Sequence, residues 1–526
     1  MKNRIQFKHF RKFEDFQSLD FNDITFVVGK NNSGKSTFVK AFIMIYNYLN
    51  SERLKTLDLN QGSVELLNIV TFDRALCKTM TDRETKDHIP INLKIGNYEF
   101  FIDVTGKKDS TILDVKTFKV IDNFSNFTVT ISPQSNHVVL SYYYKEVKEN
   151  DDLANALRQK EQLENSITLV KDELSKESIE LKAGLEKISK IIESFRETKT
   201  EIETSFTIEE FYEGSNFTEL FEDLSTKLDA KFWIVNPNVD LLEQKYFTSE
   251  NDYDEVDIEK LEVPELNEQQ EKKFDDLHSY YTNRVKFEKF FKQFLNFKEA
   301  SKIFYIPATL NKQSALLSIR DKSNDLAEVV HNYFQFGLQN DPVISGFVNY
   351  WINQFQIGSD IQIELINGEA YDIKLTESGV AIPLADKGMG SIQAVLLILR
   401  LASVIYFKEQ VKKITKFDYF VIVEEPELNL HPALQSCLCD LFFAVYEKYG
   451  VKFIIETHSE YIIRKTQLFV KEKDLQIAPN ENPFAVLYFN DDLQVWNMHY
   501  REDGRFFNEF GTGFFDESSN LAFELM

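Results

Sequence analysis

The feature that most constrains this chain is the segment Gly29–Thr37, which reads Gly-Lys-Asn-Asn-Ser-Gly-Lys-Ser-Thr. It matches the phosphate-binding pattern G-x-x-x-x-G-K-[ST] at every position. The apolar run 24–28 before it predicts a short buried strand, and apolar residues at helical spacing over 36–49 predict a helix after it. This context predicts a P-loop, whereas the alternative is a Gly/Asn-rich turn that binds nothing.

The residue types in this loop suit a nucleotide's phosphates, which concentrate several negative charges in a small volume. Gly29 and Gly34 allow the backbone N–H groups to point inward, and the following helix offers its positive dipole end. Lys35 is predicted to reach the β- and γ-phosphates, and the Ser36 hydroxyl is predicted to hold Mg²⁺. The residues predicted to bind ATP in this loop are Gly29, Asn31, Asn32, Ser33, Gly34, Lys35, Ser36 and Thr37.

The composition excludes several classes of protein. With 84 acidic and 60 basic residues the formal net charge is −24, so the molecule as a whole repels nucleic acid and anionic membranes, and a DNA contact would need a local basic patch or a partner. No apolar run approaches the roughly 20 residues of a membrane span, and the first residues contain no signal-peptide core. The 3 cysteines suit neither a disulfide framework nor a zinc site. We therefore expect a cytoplasmic protein that makes no membrane contact.

A long insertion separates the P-loop from the next motif. Between residues 150 and 200 there is no proline, and apolar residues recur three and four apart at 167–174 and at 181–195. This spacing predicts a coiled coil, with a break near 175–178 that suits a stutter or a helical hairpin. A long solvated helix packed along the body is the alternative.

A second phosphate-binding device is predicted at residues 386–393, Asp-Lys-Gly-Met-Gly-Ser-Ile-Gln, which open a strongly apolar helix. A glycine-rich turn with a serine at a helix N-terminus can bind phosphate, although a loop that only caps a buried helix would look the same. The candidates for nucleotide contact here are Gly388, Gly390 and Ser391.

Catalytic side chains are predicted at the ends of two buried strands. The apolar strand 418–423 ends in the adjacent carboxylates Glu424 and Glu425, and the strand 451–456 leads into Thr457-His458-Ser459. Two carboxylates at the end of a buried strand would be costly without a cation or a proton-transfer role. Glu424 is therefore predicted to organise Mg²⁺, Glu425 to act as general base and His458 to contact the γ-phosphate.

These patterns predict an α/β fold in which a P-loop sheet is joined to a smaller antiparallel sheet and flanked by helices. We expect residues 1–145 to form the N-terminal part of an ATPase head and 146–300 a coiled-coil and helical insertion. Residues 301–470 are expected to complete the head, and 471–526 to form a small β-rich cap.

The order of the motifs resembles one family of ATPases. A P-loop, a long insertion, the Gly-x-Gly turn, Glu-Glu-Pro-Glu with Leu-x-Leu-His-Pro at 424–432, and Thr-His-Ser at 457–459 resemble the OLD-like branch of the ABC/SMC ATPases. The anti-phage ATPases of that branch, such as those of the Septu, PARIS and Gabija systems, share this order. The closing residues 503–517 are similar to a C-terminal cap of related ATPases.

The resemblance implies a head-to-head dimer in which residues 388–391 of one subunit close on ATP held by the P-loop of the other. It implies that His458 is a γ-phosphate switch, that residues 429–432 lie at the dimer seam and that Arg11 lies over the adenine base, for which an exposed basic turn is the alternative. Residues 388–391 depart from the transporter signature Leu-Ser-Gly-Gly-Gln, which argues against a transporter subunit. The residues after His458 are fewer than the roughly 100 of a typical domain, so we expect no TOPRIM nuclease domain in this chain.

Three functions follow as hypotheses. The first is an ATP-hydrolysing regulator in anti-phage defence, an oligomer that controls a separate effector such as a nuclease in response to a phage trigger. The second is a DNA-maintenance ATPase of the SMC or RecF kind, which would need a basic surface on the closed dimer. The third is a scaffold whose ATP site is a slow structural clamp.

Overall fold

The computed structural model describes most of the chain. The described residues are 3–51, 53–61, 65, 67–80, 87–125, 127–146, 198–207, 216–224, 226, 287–298, 302–308, 316–320, 325–412, 419–475, 482–512 and 514–524. The predicted coiled coil lies outside the described residues, apart from its last three positions.

The strands and helices have the following bounds. The strands are β1 (Asn3–Phe10), β2 (Phe13–Phe21), β3 (Ile24–Gly29), β4 (Thr56–Asp58), β5 (His88–Ile95), β6 (Tyr98–Thr105), β7 (Ile112–Asp122), β8 (Phe127–Ser132), β9 (His137–Glu146), β10 (Thr198–Thr207), β11 (Lys302–Ile306), β12 (Leu317–Ser318), β13 (Asp360–Ile366), β14 (Ala370–Glu377), β15 (Val380–Pro383), β16 (Tyr419–Glu424), β17 (Val451–Glu456), β18 (Phe484–Phe489) and β19 (Val495–Asn497). The helices are α1 (Lys35–Asn50), α2 (Phe72–Ala75), α3 (Asp325–Gln335), α4 (Pro342–Gln354), α5 (Met389–Lys412), α6 (Pro432–Tyr449), α7 (Glu460–Glu472) and α8 (Glu517–Glu524), and residues 217–224 and 287–298 are also helical.

The central sheet has 6 strands in the order β11-β16-β17-β3-β18-β19. The first five are mutually parallel, and β19 pairs antiparallel with β18. Both faces are covered, since Phe420, Ile422 and Ile454 join one hydrophobic core and Val421, Val423 and Ile455 join the other. Burial on both faces explains why these strands read as continuous apolar runs.

The second sheet is antiparallel, with the order β10-β9-β8-β7-β6-β5-β1-β2 and with β4 paired to β7. Its 9 strands make it larger than the central sheet, so the prediction of a smaller antiparallel sheet was wrong. The sequence analysis assigned residues 198–207 to the insertion, yet they pair with β9 over its whole length. The insertion therefore leaves and re-enters this sheet between two neighbouring strands, which local periodicity does not reveal.

Helix α1 lies between the two sheets and supplies much of their shared core. Phe38 and Phe42 contact Phe21 at the end of β2, and Phe42 also packs edge-on against Phe420 of the central sheet. The helical residues 217–224 and 287–298 pack on the antiparallel sheet through a run of phenylalanines. This packing holds the P-loop, at the start of α1, against the carboxyl ends of the parallel strands.

Helices α3 to α7 cover the other face of the central sheet, together with a small sheet of β12 to β15. In that sheet β13 pairs antiparallel with β14 through a hairpin turn at Asn367-Gly368, and both turn residues have positive φ. Within the described part of the chain, one helix, residues 389–410, is long and apolar enough to cross a membrane, but 72% of its most apolar window is buried inside the protein. A core helix passes the same test.

The C-terminal part of the chain contributes to the central sheet itself. Strand β18, which was expected to belong to a separate cap, lies beside the P-loop strand β3 and pairs with it in parallel. The following residues 490–512 continue from β18 and pack near α7 through Tyr500 and Phe506. The segment after β18 is thus built on the nucleotide-site sheet.

Candidate active site

The P-loop connects β3 to α1 through a tight turn. Gly34 caps the helix with φ 106°, and a Cβ at this position would lie 2.5 Å from the ring of Phe13. Gly29 approaches the neighbouring strand so closely that a Cβ would lie 2.3 Å from the Phe489 carbonyl oxygen. Both glycines are therefore needed for the path of this loop, as the sequence pattern predicts.

Lys35 points back into the loop and is nearly buried, with 4% of its surface exposed. Its Nζ donates hydrogen bonds to the carbonyl oxygens of Gly29 at 3.0 Å and of Lys30 at 2.9 Å. Burial lowers the pKa of this ammonium group, while the nearby carboxylate of Glu456 opposes the shift. Lys35 thus contacts two carbonyl oxygens and lies 3.9 Å from one carboxylate oxygen, and its ammonium group is well placed to bind phosphate oxygens.

Two neighbouring parallel strands end in carboxylates at the same level. Glu424 of β16 and Glu456 of β17 are register partners. The Ser36 hydroxyl donates to Glu456, at 3.1 Å from Oε1 and 3.0 Å from Oε2. The P-loop is thus joined directly to the strand ends, through a residue that the sequence analysis did not select.

Burial raises the pKa of Glu456 to about 7, and the charge of Glu424 adds to this effect. Burial likewise raises the pKa of Glu424, which the hydrogen bond from the Tyr305 phenol opposes. One oxygen of Glu424, Oε1, is buried and has no hydrogen-bond partner. A buried and a partly buried carboxyl group with incomplete compensation are the arrangement that a cation would stabilise.

Glu425 has a left-handed backbone with φ 46°, which is uncommon for a residue with a side chain. Its N–H donates to the Glu456 carbonyl oxygen at 2.7 Å, and this bond holds the turn. The turn directs the Glu425 side chain toward His458, with Oε1 at 4.0 Å from Nε2. Each side chain is about one-third exposed, at 35% and 33%, so both can reach solvent and substrate.

His458 is supported from behind by the next carboxylate of the motif. The His458 backbone N–H donates to Glu427 Oε1 at 2.6 Å. Burial lowers the pKa of the imidazole, and the charge of Lys35 lowers it further. The ring is therefore neutral at pH 7, with one nitrogen able to donate a hydrogen bond and one able to accept.

Comparison with known proteins identifies the family. The family profile described as AAA ATPase domain matches residues 1–463, which is most of the chain. The chain belongs to the AAA ATPase domain family. No curated protein matches the sequence.

Among solved structures, the ATPase is similar to an Smc head domain with an extended coiled coil bound to the C-terminal domain of ScpA from Pyrococcus furiosus. The identity is 11% with a TM-score of 0.33, over 100% of this chain and 99% of that one. It is also similar to an Smc head domain with a coiled coil and joint from Pyrococcus yayanosii, at 11% identity and a TM-score of 0.35, over 96% of this chain and 98% of that one.

The ATPase has side chains that fit Mg²⁺, which prefers oxygen ligands and keeps several waters beside one or two carboxylates and the phosphates. The Ser36 hydroxyl and the unpartnered Oε1 of Glu424 are oxygen donors of this kind. Among the residues that the structure describes, no group of three or more His, Cys, Asp or Glu side chains could hold a metal ion. Phosphate oxygens and water would therefore complete the coordination.

The remaining predicted contacts of the ATPase lie in two other places. Arg11 occupies the β1–β2 turn with φ 52°, and its N–H donates to the Ala75 carbonyl oxygen at 2.7 Å. Burial and the charge of Arg74 lower the pKa of its guanidinium group, whose Nε is buried without a hydrogen-bond partner. This is a half-buried cation rather than the exposed basic turn that was the alternative.

The glycine-rich turn lies against the segment that follows β16. A Cβ on Gly390 would lie 2.5 Å from the Asn429 carbonyl oxygen of the same chain. Helix α5 begins at Met389, so Gly390 and Ser391 stand in its first turn rather than before it. The structure therefore brings residues 388–391 together with residues 429–432, the two segments that the resemblance assigns to a dimer seam.

In the P-loop itself, the predicted side chains differ in their exposure to solvent. Asn31 and Asn32 are exposed at the tip, whereas Ser33 and Thr37 are buried. Sequence reasoning missed Glu456 and Glu427. Glu456 ends its apolar strand just as Glu424 does, and that shared position was the signal that could have identified it.

Proposed function

We propose that this ATPase is a nucleotide-controlled regulatory subunit of an anti-phage defence system, which controls a separate effector such as a nuclease. The observation that carries this proposal is the position of His458 at the root of α7. Helix α7 connects His458, the candidate γ-phosphate contact, with the C-terminal segment of the chain. A regulator needs such a connection between its nucleotide site and the surface that contacts its partner.

In the proposed hydrolysis reaction each group has one task. Lys35 binds the β- and γ-phosphate oxygens in place of its present carbonyl partners, and Ser36 with Glu424 would hold Mg²⁺. When bound there, Mg²⁺ would supply positive charge against the phosphate oxygens. Glu425 accepts a proton from the water that attacks the γ-phosphorus, the bond from the γ-phosphorus to the β–γ bridging oxygen breaks, and ADP leaves. The neutral His458 donates a hydrogen bond to the γ-phosphate.

The connection from His458 to the protein surface consists of short contacts. Ser459, the next residue, caps α7 and donates a hydrogen bond to Gln435 of α6 at 2.6 Å. Further along α7, Thr466 shares a hydrogen bond of 2.7 Å with Tyr500, and Gly504 packs on the backbone of Gln467. A displacement of His458 on γ-phosphate release would therefore act on both α6 and residues 499–511.

The proposal includes a homodimer that closes head to head on ATP. Gly388, Gly390 and Ser391 would contact the nucleotide of the opposite subunit, and Arg11 would lie over the adenine base. The close packing of Gly390 on Asn429 supports this, since it places both proposed seam segments on one surface. The coiled-coil and helical insertion would supply contacts to the effector or to a phage trigger.

The catalytic part is tested by Glu425→Gln beside Lys35→Ala. Loss of the base is expected to reduce turnover about 10²–10⁴-fold while ATP binding survives. Loss of the ammonium group is expected to weaken ATP binding itself. Turnover is measured by phosphate release and binding by equilibrium titration with labelled ATP. Unchanged turnover in Glu425→Gln would show that Glu425 is not the general base.

The regulatory part is tested by purifying the tagged protein from its native operon with ATP present and identifying the proteins that accompany it by mass spectrometry. We expect a stoichiometric nuclease or toxin, whose association differs between wild type and Glu425→Gln. A protein that purifies alone, binds DNA and hydrolyses ATP faster when DNA is added would instead support DNA maintenance. Assembly that is lost in Lys35→Ala but unaffected by Glu425→Gln would support the scaffold.

A further inference from the structure

Glu456 holds the P-loop hydroxyl, a task for which the charge of a carboxylate is not needed. Only 5% of Glu456 is exposed, and both of its oxygens accept from Ser36. A glutamine of the same shape could accept this hydrogen bond through its amide oxygen without burying a charge. The presence of an acid therefore calls for a second explanation.

The surroundings of Glu456 do not compensate its charge well. Among the described residues its one ion pair is with Lys35, whose Nζ lies 3.9 Å from Oε1 and donates its hydrogen bonds to the carbonyl oxygens of Gly29 and Lys30, while the charge of Lys40 also interacts with it. Glu424 stands opposite in the sheet register and repels it. Removing a charge from water is costly unless an opposite charge replaces the lost hydration.

The position of Glu456 fits a divalent cation better than it fits a second lysine contact. It lies next to the Ser36 hydroxyl, which is the proposed Mg²⁺ donor, and opposite Glu424, which is the proposed Mg²⁺ carboxylate. A cation between these three groups would compensate the charges of both carboxylates at once. Monovalent Lys35 cannot do so while it also binds phosphate.

We propose that Glu456 is a second carboxylate of the Mg²⁺ site, which binds the cation directly or through one of its waters when MgATP occupies the P-loop. This inference rests on the proposed Mg²⁺ site at Ser36 and Glu424. It makes Glu456 a positioning residue for hydrolysis, because it acts on the phosphates through the metal ion. In the nucleotide-free protein the same carboxylate keeps the Ser36 hydroxyl in place.

The test measures metal binding separately from activity. The full-length protein is saturated with a non-hydrolysable ATP analogue and titrated with Mn²⁺, whose free form is followed by electron paramagnetic resonance. Glu456→Gln is expected to weaken Mn²⁺ binding about 10–100-fold, as the loss of a supporting metal-site group does. Binding of the analogue in EDTA should be unchanged or tighter, because a negative charge near the phosphates is lost.

A matched control is Asp440→Asn on α6, a half-buried carboxylate that pairs with Lys465 at 3.1 Å. It is expected to leave Mn²⁺ binding unchanged. In a double-mutant cycle, Ser36→Ala and Glu456→Gln should weaken Mn²⁺ binding less together than the sum of their separate effects, since both act on one ion. Glu456→Asp keeps the charge on a shorter side chain and should bind Mn²⁺ more tightly than Glu456→Gln.

The outcomes separate this inference from the proposed function. Equal Mn²⁺ affinity in wild type and Glu456→Gln overturns the role of Glu456 while the proposed site stands. An equal loss of analogue binding with and without metal also overturns it, because Glu456 would then only support the P-loop. A wild-type protein that binds the analogue but no Mn²⁺ overturns the proposed metal site itself.

Discussion

The two large sheets of this ATPase differ in where their polar side chains lie. In the parallel sheet, strands such as β3 and β18 are buried at every position, so polar side chains occur mainly where the strands end. In the antiparallel sheet, strands such as β5 and β8 alternate between buried and partly exposed residues along their whole length. The candidate catalytic groups therefore lie together at the carboxyl ends of the parallel strands. The antiparallel sheet instead presents polar side chains along its whole outer face.

This difference has a physical cause. A strand covered on both faces cannot place a charged group in its interior without a large desolvation cost, whereas its end can lie beside a loop, a ligand or a cation. Ser36, Glu424, Glu456 and His458 all lie at or beside such ends. The antiparallel sheet accepts polar residues at every second position, and in it β9 and β10 pair although residues 147–197 lie between them in the sequence.

The largest effect is expected when a charge is removed at the parallel-strand ends. Lys35→Ala should weaken ATP binding by about 10²–10⁴-fold, since it removes charge-assisted hydrogen bonds to both the β- and the γ-phosphate, which contribute about 1.5–3 kcal/mol each. Lys119→Ala, which removes the same group from β7 of the antiparallel sheet, should leave ATP binding unchanged. Both are measured by titration with labelled ATP. An equal loss of ATP affinity in the two variants would show that the two sheets do not differ in their contribution to ATP binding.

The next effect concerns the pH dependence of stability in the nucleotide-free protein. The pKa of Glu456 is raised from 4.5 to about 7, so the folded state binds the proton more tightly than the unfolded state does. This stabilisation is fully present below pH 4.5 and is lost as the pH rises through 7, a change of about 3 kcal/mol.

The measurement is urea unfolding in EDTA between pH 5 and 8, as a difference between wild type and Glu456→Gln so that other groups cancel. Wild type should lose stability relative to the variant as the pH rises across this window. A difference that does not change with pH would show that the carboxyl group at this strand end is not destabilised by burial.

A third effect tests how closely the parallel-strand ends are packed. Gly29→Ala places a methyl group against the Phe489 carbonyl oxygen at a backbone φ of 147°, and we expect it to lower the free energy of unfolding by about 2 kcal/mol and to weaken ATP binding. Gly96→Ala, in the β5–β6 turn, has nothing within 4 Å and meets only the unfavourable φ of 56°, for about 1 kcal/mol. Thermal unfolding of both compares the two sheets, and a larger loss in Gly96→Ala would contradict the close packing at Gly29.

The same division explains how much could be predicted from the sequence. The P-loop was predicted because its chemistry lies in consecutive residues, and Glu424 and Glu425 because they end an apolar run. The hydrogen bond between Ser36 and Glu456 could not be predicted in this way, since it depends on β17 lying between β16 and β3. Strand order is a property of the whole fold, and local periodicity contains no information about it.

For the antiparallel sheet, the sequence did not predict which strands pair with each other. Strand-like sequence at 98–104, 127–131 and 138–143 predicts β6, β8 and β9, but β5 and β7 were not predicted, and the pairing of β9 with β10 joins residues on either side of an insertion. Strand β18 lies in the segment 471–526 that was expected to form a β-rich cap, and its place beside β3 was not predicted, because its neighbours in sequence are loops.

The smallest effect compares one substitution at two equally buried positions. Ile131→Val in the antiparallel sheet and Ile455→Val in the parallel sheet each remove one methylene group from a side chain that is 0% exposed. Both should lower the free energy of unfolding by about 1 kcal/mol.

The two substitutions should differ in their effect on turnover. Ile455 immediately precedes Glu456, so the space left there allows the carboxylate to shift relative to Ser36, and turnover should fall about threefold because catalysis depends on sub-ångström placement. Ile131→Val should keep wild-type turnover, since its strand reaches the active site only through the core around α1. Steady-state phosphate release, corrected for the folded fraction, decides the matter: a threefold loss in both variants would mean that the antiparallel sheet positions the catalytic groups as tightly as the strands that bear them.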